Sequence, residues 1–340
     1  MAHKSFWRMS FALAVLCSSA LLGGSAAQAS FSAEFVFGDS LSDNGNLAVL
    51  TGPFASPPSF DNSFTNGPVA VQLLAQSLGL SANASLWLAG PSVPAGTNYA
   101  VGGATAATFA QGGFMGINLP QQVDAYGAFV LGHADPNALY VLMIGGNDVI
   151  DAVANNSGAS AVTAGADQEV KEISKLAGEG ADHFLIVNVP DVGQIPLFTQ
   201  ESPPGAAAEA TAFSIDYDQE LAKQLQSLEL GPGSTLTDFN LFAFNANLDT
   251  SGFADTTHPC YSFTGVPDST ASNFGCGPSN VDTFVYFNDV HPTAPIQAAW
   301  AVGLEGVVPE PSTWAMLFIG FSGLGFAGYR RSVRARAASA

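Results

Sequence analysis

Four short apolar runs, each breaking off at small or polar residues, constrain this chain more than any other feature. Glu34–Phe37 leads into Gly38-Asp39-Ser40, and Leu139–Ile144 into Gly145-Gly146-Asn147-Asp148. Phe184–Val189 runs into Pro190-Asp191, and Leu236–Phe244 holds a fourth run. Continuous apolar stretches of this kind suit strands buried on both faces of a parallel sheet. Between them lie helix-like stretches at Val69–Leu78, Ala159–Ala177, Ala206–Leu228 and Thr293–Leu304. The alternation predicts a single α/β domain, a three-layer α/β/α sandwich with a mostly parallel central sheet. Gly- and Pro-rich patches at 51–68, 90–96, 112–120, 202–205 and 263–280 read as loops, and none reads as a linker. Sites in open α/β sheets form at the carboxyl ends of strands. Ser40 and Asn147 stand at such ends, and Gly102-Gly103 follows the extended stretch Thr97–Val101.

The ends carry different information. Lys4 and Arg8 precede an apolar run from Phe11 to Leu22, and Ala27-Gln28-Ala29 is a small-x-small cleavage site. That pattern predicts a secretory signal peptide over residues 1–29, its apolar run too short to span a bilayer. At the other end, Val308-Pro309-Glu310-Pro311 precedes an apolar segment, Trp314 to Tyr329, closed by Arg330, Arg331, Arg334 and Arg336. Arginines directly after such a segment fit a cytoplasmic tail. Pro-Glu-Pro, apolar segment and Arg cluster stand in the order of the PEP-CTERM sorting signal of bacterial surface proteins, which residues 309–340 resemble. The resemblance implies transient inner-membrane contact and processing by an exosortase-type peptidase. The mature protein would reach the surface or extracellular matrix of a Gram-negative bacterium.

Residues 30–308 would then be the working domain. They hold no Arg and three Lys (Lys171, Lys175, Lys223) against 27 acidic residues, a formal charge of −24. Such a surface repels nucleic acid and anionic lipid head groups. Cys260 and Cys276 are the two cysteines left in it, an even pair that reads as one disulfide in an exported chain. No His, Cys and Asp cluster has metal-ligand spacing, and no cofactor is implied.

A serine attacks a carbonyl only with a base to take its proton and donors for the oxyanion. The G-x-S-x-G elbow of α/β-hydrolases is absent. Instead, Phe35-Val36-Phe37-Gly38-Asp39-Ser40-Leu41-Ser42-Asp43-Asn44-Gly45-Asn46 delivers Ser40 from a strand into a tight turn. Alone, Asp39 and Ser40 could merely cap a helix. The longer string resembles the nucleophile block of the GDSL lipases and esterases, the SGNH hydrolase superfamily.

Three further blocks follow in that family's order: Asn98-Tyr99-Ala100-Val101-Gly102-Gly103-Ala104, Gly145-Gly146-Asn147-Asp148 and Asn288-Asp289-Val290-His291-Pro292-Thr293. The resemblance implies a flavodoxin-like fold, with Ser40 as nucleophile and His291 as base. It implies an oxyanion hole of the Ser40 N–H, the Gly102 N–H and the Asn147 amide, with Gly103 a close rival to Gly102. One position departs from the pattern, since Asn288 stands where the family has Asp. Asn288, Asp289 or a backbone carbonyl could orient the imidazole, and a carboxylate's fit to imidazolium tilts the choice to Asp289. His258, also followed by Pro, competes with His291 but lacks the helix after it; His133 and His183 read as structural or solvated. The expected substrate is a small-molecule, lipid or acylated glycan ester, cleaved by a serine ester hydrolase. The rivals are an exopolysaccharide O-acetyl esterase or acyltransferase, and a catalytically silent surface protein on the same scaffold. The loops at 51–68, 104–120 and 245–280 are expected to shape the pocket.

Overall fold

The computed structural model describes residues 31–308, apart from residue 57 and residues 91–93, 108–115 and 263–273. The expected terminal signals at 1–29 and 309–340 lie outside the described residues, as do parts of the predicted loops at 90–96, 112–120 and 263–280. The elements are β1 (Glu34–Gly38), α1 (Ala48–Thr51), α2 (Ala70–Ser77), α3 (Leu119–Val130), β2 (Leu139–Met143), α4 (Gly146–Ala154) and α5 (Ala159–Gly178). There follow β3 (His183–Val187), α6 (Ala206–Ser227), β4 (Thr235–Phe239), α7 (Leu241–Ala246), β5 (Asp255–Pro259), β6 (Phe284–Tyr286) and α8 (Ala294–Val307).

The sheet has the order β1-β2-β3-β4, with every pairing parallel. Period-two alternation assigns its side chains to two layers. Phe37, Tyr140, Leu142, Phe184 and Ile186 pack with Val123, Val149, Ile173 and Tyr217 of α3, α4, α5 and α6. Val36, Val141, Met143, Leu185 and Val187 pack with Leu74 of α2 and with Ile296, Trp300 and Leu304 of α8. The three-layer α/β/α expectation therefore holds. The stretch at 97–101 runs along the other edge of β1: Tyr99 N–H donates to Val36 O (2.7 Å) and Val101 N–H to Gly38 O (3.1 Å). The chain thus goes first to one side of β1 and then, through β2, to the other. Open α/β sheets hold a crevice at such a switch point.

Sequence and structure part at several elements, three of them close to the site. The apolar run Leu236–Phe244 is a strand only to Phe239, because Asn240 Oδ1 accepts the Ala243 N–H (2.7 Å) and caps α7. Apolar content alone does not separate a buried strand from a buried helix; the cap does. Helix α3 begins inside the predicted loop at 112–120, where Gln121 Oε1 accepts the Asn118 N–H (3.0 Å) in a capping box. Helix α4 starts within Gly146-Asn147-Asp148, so these polar residues open a helix.

Glycine is required at Gly38, where a Cβ would stand 2.3 Å from the carbonyl oxygen of Met143. The Gln122 side chain bonds both backbone groups of Gly38, accepting its N–H (2.8 Å) and donating to its carbonyl (2.7 Å). Strands β5 and β6 form a separate parallel pair. The expected disulfide Cys260–Cys276 stands beside them, with Cα atoms 5.2 Å apart. Both cysteines are buried with Tyr261, Phe284 and Phe287.

Candidate active site

The turn after β1 is built by Asp39, whose carbonyl accepts from the N–H groups of Ser42 (3.1 Å) and Asp43 (2.9 Å). Its Oδ1 accepts from the Leu41 N–H (2.9 Å). Ser40 at the head of this turn is 7% exposed. From the turn between β6 and α8, His291 reaches across to it: Nε2 lies 2.6 Å from Ser40 Oγ. Phe64 packs on the imidazole at 4.9 Å between ring centroids.

The tautomer of His291 follows from its other neighbour. Asn288 Oδ1 accepts the backbone N–H of Val290 (3.0 Å) and of His291 (2.8 Å), so the oxygen of the amide is identified by two donors. The same oxygen lies 2.8 Å from His291 Nδ1. Facing an acceptor, Nδ1 carries the hydrogen, and the Nε2 lone pair faces the Ser40 hydroxyl. The tilt toward Asp289 gives way here, since the acceptor in place at Nδ1 is Asn288. Asp289 is also buried, and its backbone carbonyl accepts the Leu197 N–H (2.9 Å). Burial holds the His291 pKa down to about 3, so the ring is neutral at ordinary pH.

The loop at 102–107 decides between the two glycines when its N–H groups are followed one at a time. Gly102 donates to Asp43 Oδ2 (2.8 Å), Ala104 to the Val101 carbonyl (3.1 Å) and Thr105 to Asn118 Oδ1 (3.1 Å). Ala106 and Ala107 donate to the two carboxylate oxygens of Asp148 (2.8 and 3.2 Å). Only the Gly103 N–H has no acceptor among the described residues. Gly102 is therefore corrected as the oxyanion candidate, because its single hydrogen is already committed to a buried carboxylate. Gly103 is half-buried, with φ +77° in the left-handed region that favours glycine. Asn147 Nδ2 donates one of its two hydrogens to the Ala104 carbonyl (2.9 Å). Burial raises the carboxyls around this loop, Asp39 and Asp148 to about 7 and Asp43 to about 6, in each case opposed by backbone N–H donors.

These distances fit the chemistry expected of the family that the four blocks resemble. The GDSL-like Lipase/Acylhydrolase model matches residues 35–303. The chain belongs to this family. The PEP-CTERM protein-sorting motif matches residues 307–331 and marks an exported protein. Lipase 1 of Photorhabdus luminescens is 34% identical over 165 residues, 48% of this chain and 23% of that protein. Esterase EstA of Pseudomonas aeruginosa is 30% identical over 238 residues, 62% of this chain and 36% of that protein. The match thus spans well under half the length of either relative. A phosphatidylcholine-sterol acyltransferase of Aeromonas hydrophila is 26% identical over 251 residues, 68% of this chain and 66% of that protein. A solved structure of a putative GDSL-like lipase from Parabacteroides merdae aligns with a TM-score of 0.43 at 11% identity, over 82% of this chain and 97% of that one.

In this GDSL-family chain the other histidines among the described residues lie elsewhere. His258 Nδ1 pairs with the Asp255 carboxylate (3.0 Å), and its ring packs against Phe274 with centroids 4.2 Å apart. His183 bonds Thr235 Oγ1 (2.9 Å), and His133 is exposed. Ser40 and Asn147 open onto a cavity of about 590 Å³. Its apolar wall includes Ile150, Val192, Ile195, Phe242, Ile296 and Trp300. Of the three loops expected to shape it, the stretch at 245–280 contributes Asn245, Leu248, Thr256 and Thr257. The other two contribute no lining among the described residues. Instead, 190–195 and α8 do, two walls that sequence reasoning missed. Asp43 and Gln122 were missed as organising residues too, since a buried polar side chain looks like any other until its partners are in place.

Proposed function

We propose that the protein is an exported serine ester hydrolase acting through an acyl-enzyme on Ser40. The observation that carries the reading is the Ser40 Oγ to His291 Nε2 contact of 2.6 Å, with Nδ1 held in the protonated tautomer by Asn288. Ser40 Oγ bonds to the ester carbonyl carbon as its proton passes to Nε2. The tetrahedral oxyanion accepts from the N–H groups of Ser40 and Gly103 and from the second hydrogen of the Asn147 amide. Collapse breaks the bond to the alcohol, which leaves with the proton from Nε2. Water then attacks the acyl-enzyme by the same sequence and releases the acid and Ser40. The silent-scaffold reading offers no reason for a hydroxyl and an imidazole nitrogen to meet at this distance in a mostly buried turn.

The largely apolar cavity supports an acyl ester substrate with a hydrocarbon part. Residues 1–29 act as signal peptide and residues 309–340 as the sorting segment cut by an exosortase-type peptidase, leaving 30–308 as the hydrolase domain outside the inner membrane. The test is hydrolysis of p-nitrophenyl acetate, butyrate and octanoate by the purified protein. Turnover of butyrate or longer esters supports the reading. Release of acetate from an acetylated glycan, with the longer esters untouched, would replace it with the polysaccharide deacetylase.

A further inference from the structure

Two buried carboxylates stand where the mechanism uses neither. Asp43 is fully buried and accepts four backbone N–H groups. Its Oδ1 takes those of Gly45 and Asn46 (both 2.8 Å), and its Oδ2 those of Leu47 (3.1 Å) and Gly102 (2.8 Å). The first three belong to the nucleophile turn and the fourth to the oxyanion loop, 59 residues further on. Asp148, fully buried as well, follows Asn147 and grips the other end of the same loop through Ala106 and Ala107. Between the two grips lies Gly103. A carboxylate has acceptor capacity for about four such donors and can offer no hydrogen of its own when ionised. An amide in its place turns one acceptor into a donor facing N–H groups.

We propose that Asp43 and Asp148 are positioning residues that clamp the loop at 102–107 between the nucleophile turn and the Asn147 helix, so that the Gly103 N–H meets the oxyanion. This rests on Ser40 being the nucleophile. The clamp acts on the transition state and not on the ester's ground-state binding, so its loss lowers kcat with little change in KM.

The experiment measures kcat and KM for p-nitrophenyl butyrate in full-length Asp43→Asn, Asp148→Asn and Ser40→Ala, each normalised to folded protein. A misplaced oxyanion donor predicts a fall of about 10²-fold in kcat for Asp43→Asn, with KM within about twofold. A folded Asp43→Asn protein with wild-type kcat overturns the clamp. So does a rise in KM at unchanged kcat. If Asp43→Asn does not fold, Asp148→Asn is judged by the same criteria. Amide exchange in the wild type is read alongside: a slowly exchanging Gly102 amide supports the clamp, and one exchanging at the rate of an exposed loop overturns it. Ser40→Ala separates the two readings. Activity that survives it defeats the nucleophile assignment, whereas activity lost in Ser40→Ala but kept in Asp43→Asn defeats only the clamp.

Discussion

Asn288 puts an uncharged acceptor under an imidazole that becomes charged in the proposed reaction, at 2.8 Å from Nδ1. It fixes the tautomer but offers no negative charge to the imidazolium. Two outcomes follow for the pH profile. The proposed mechanism needs neutral His291, so kcat/KM should fall as pH drops through the imidazole pKa. With burial holding that pKa down, the acid limb lies well below 6.5, the usual value for histidine. Asn288→Asp brings a carboxylate to Nδ1 and moves the limb upward. A wild-type limb at or above 6.5, unmoved by Asn288→Asp, would contradict this assignment. Asn288→Ala removes the orienting acceptor and should lower kcat by about 10²- to 10⁴-fold. At this scale the sequence singled out Ser40 and His291, which the fold sets 2.6 Å apart, from their order along the chain alone. It was uninformative where one hydrogen has two possible destinations. Gly102 and Gly103 are adjacent and chemically identical, and only the approach of Asp43 tells them apart.

The elements are held to the site by polar side chains as much as by packing. Asn188 shows this at the end of β3, where its Oδ1 accepts the Leu241 N–H (2.6 Å) and so seats α7 beside the cavity. The four strand cores were legible because runs such as LYVLM are apolar on both faces, as a sheet covered by two helix layers demands. Helices α3 and α4 were not, because each begins in a Gly- or Asn-rich stretch that reads as a turn until the cap is seen. The pair β5–β6 depends on a different support. The Cys260–Cys276 bridge closes a separation of 16 residues, for which chain entropy gives about 3 kcal/mol. Reduction, or Cys276→Ser, should lower the denaturation midpoint by a corresponding amount. Activity should fall with it, because Thr256, Thr257 and Tyr286 of this pair line the cavity. An unchanged midpoint in reductant, with both thiols titratable, would show that the pair stands without the bridge.

Across the whole molecule, acidity and burial combine to make stability depend on pH in an uncommon direction. Burial raises Asp39 and Asp148 to about 7, Asp43 to about 6 and Asp218 to about 8. In the unfolded chain these groups titrate near 3.9. From about pH 4 upward the folded state therefore holds more protons, and stability falls as pH rises through that window. His291 works the other way: its unfolded value lies near 6.5 and its folded value near 3, so its contribution is lost as pH falls between them. Four carboxyls outweigh one imidazole. The formal charge of −24 on residues 30–308 adds self-repulsion that also grows with pH. Thermal unfolding should thus occur at higher temperature at pH 5 than at pH 8. The opposite order would mean that the backbone donors around these carboxylates dominate over burial.

The most direct test of the account is covalent. A fluorophosphonate reacts with a serine hydroxyl only when a base activates it beside oxyanion donors. Incubating the protein with such a probe and mapping the adduct by mass spectrometry should place one phosphonyl group on Ser40 and none on Ser40→Ala. Absence of any adduct on the folded protein, or an adduct on another serine that survives Ser40→Ala, would contradict it.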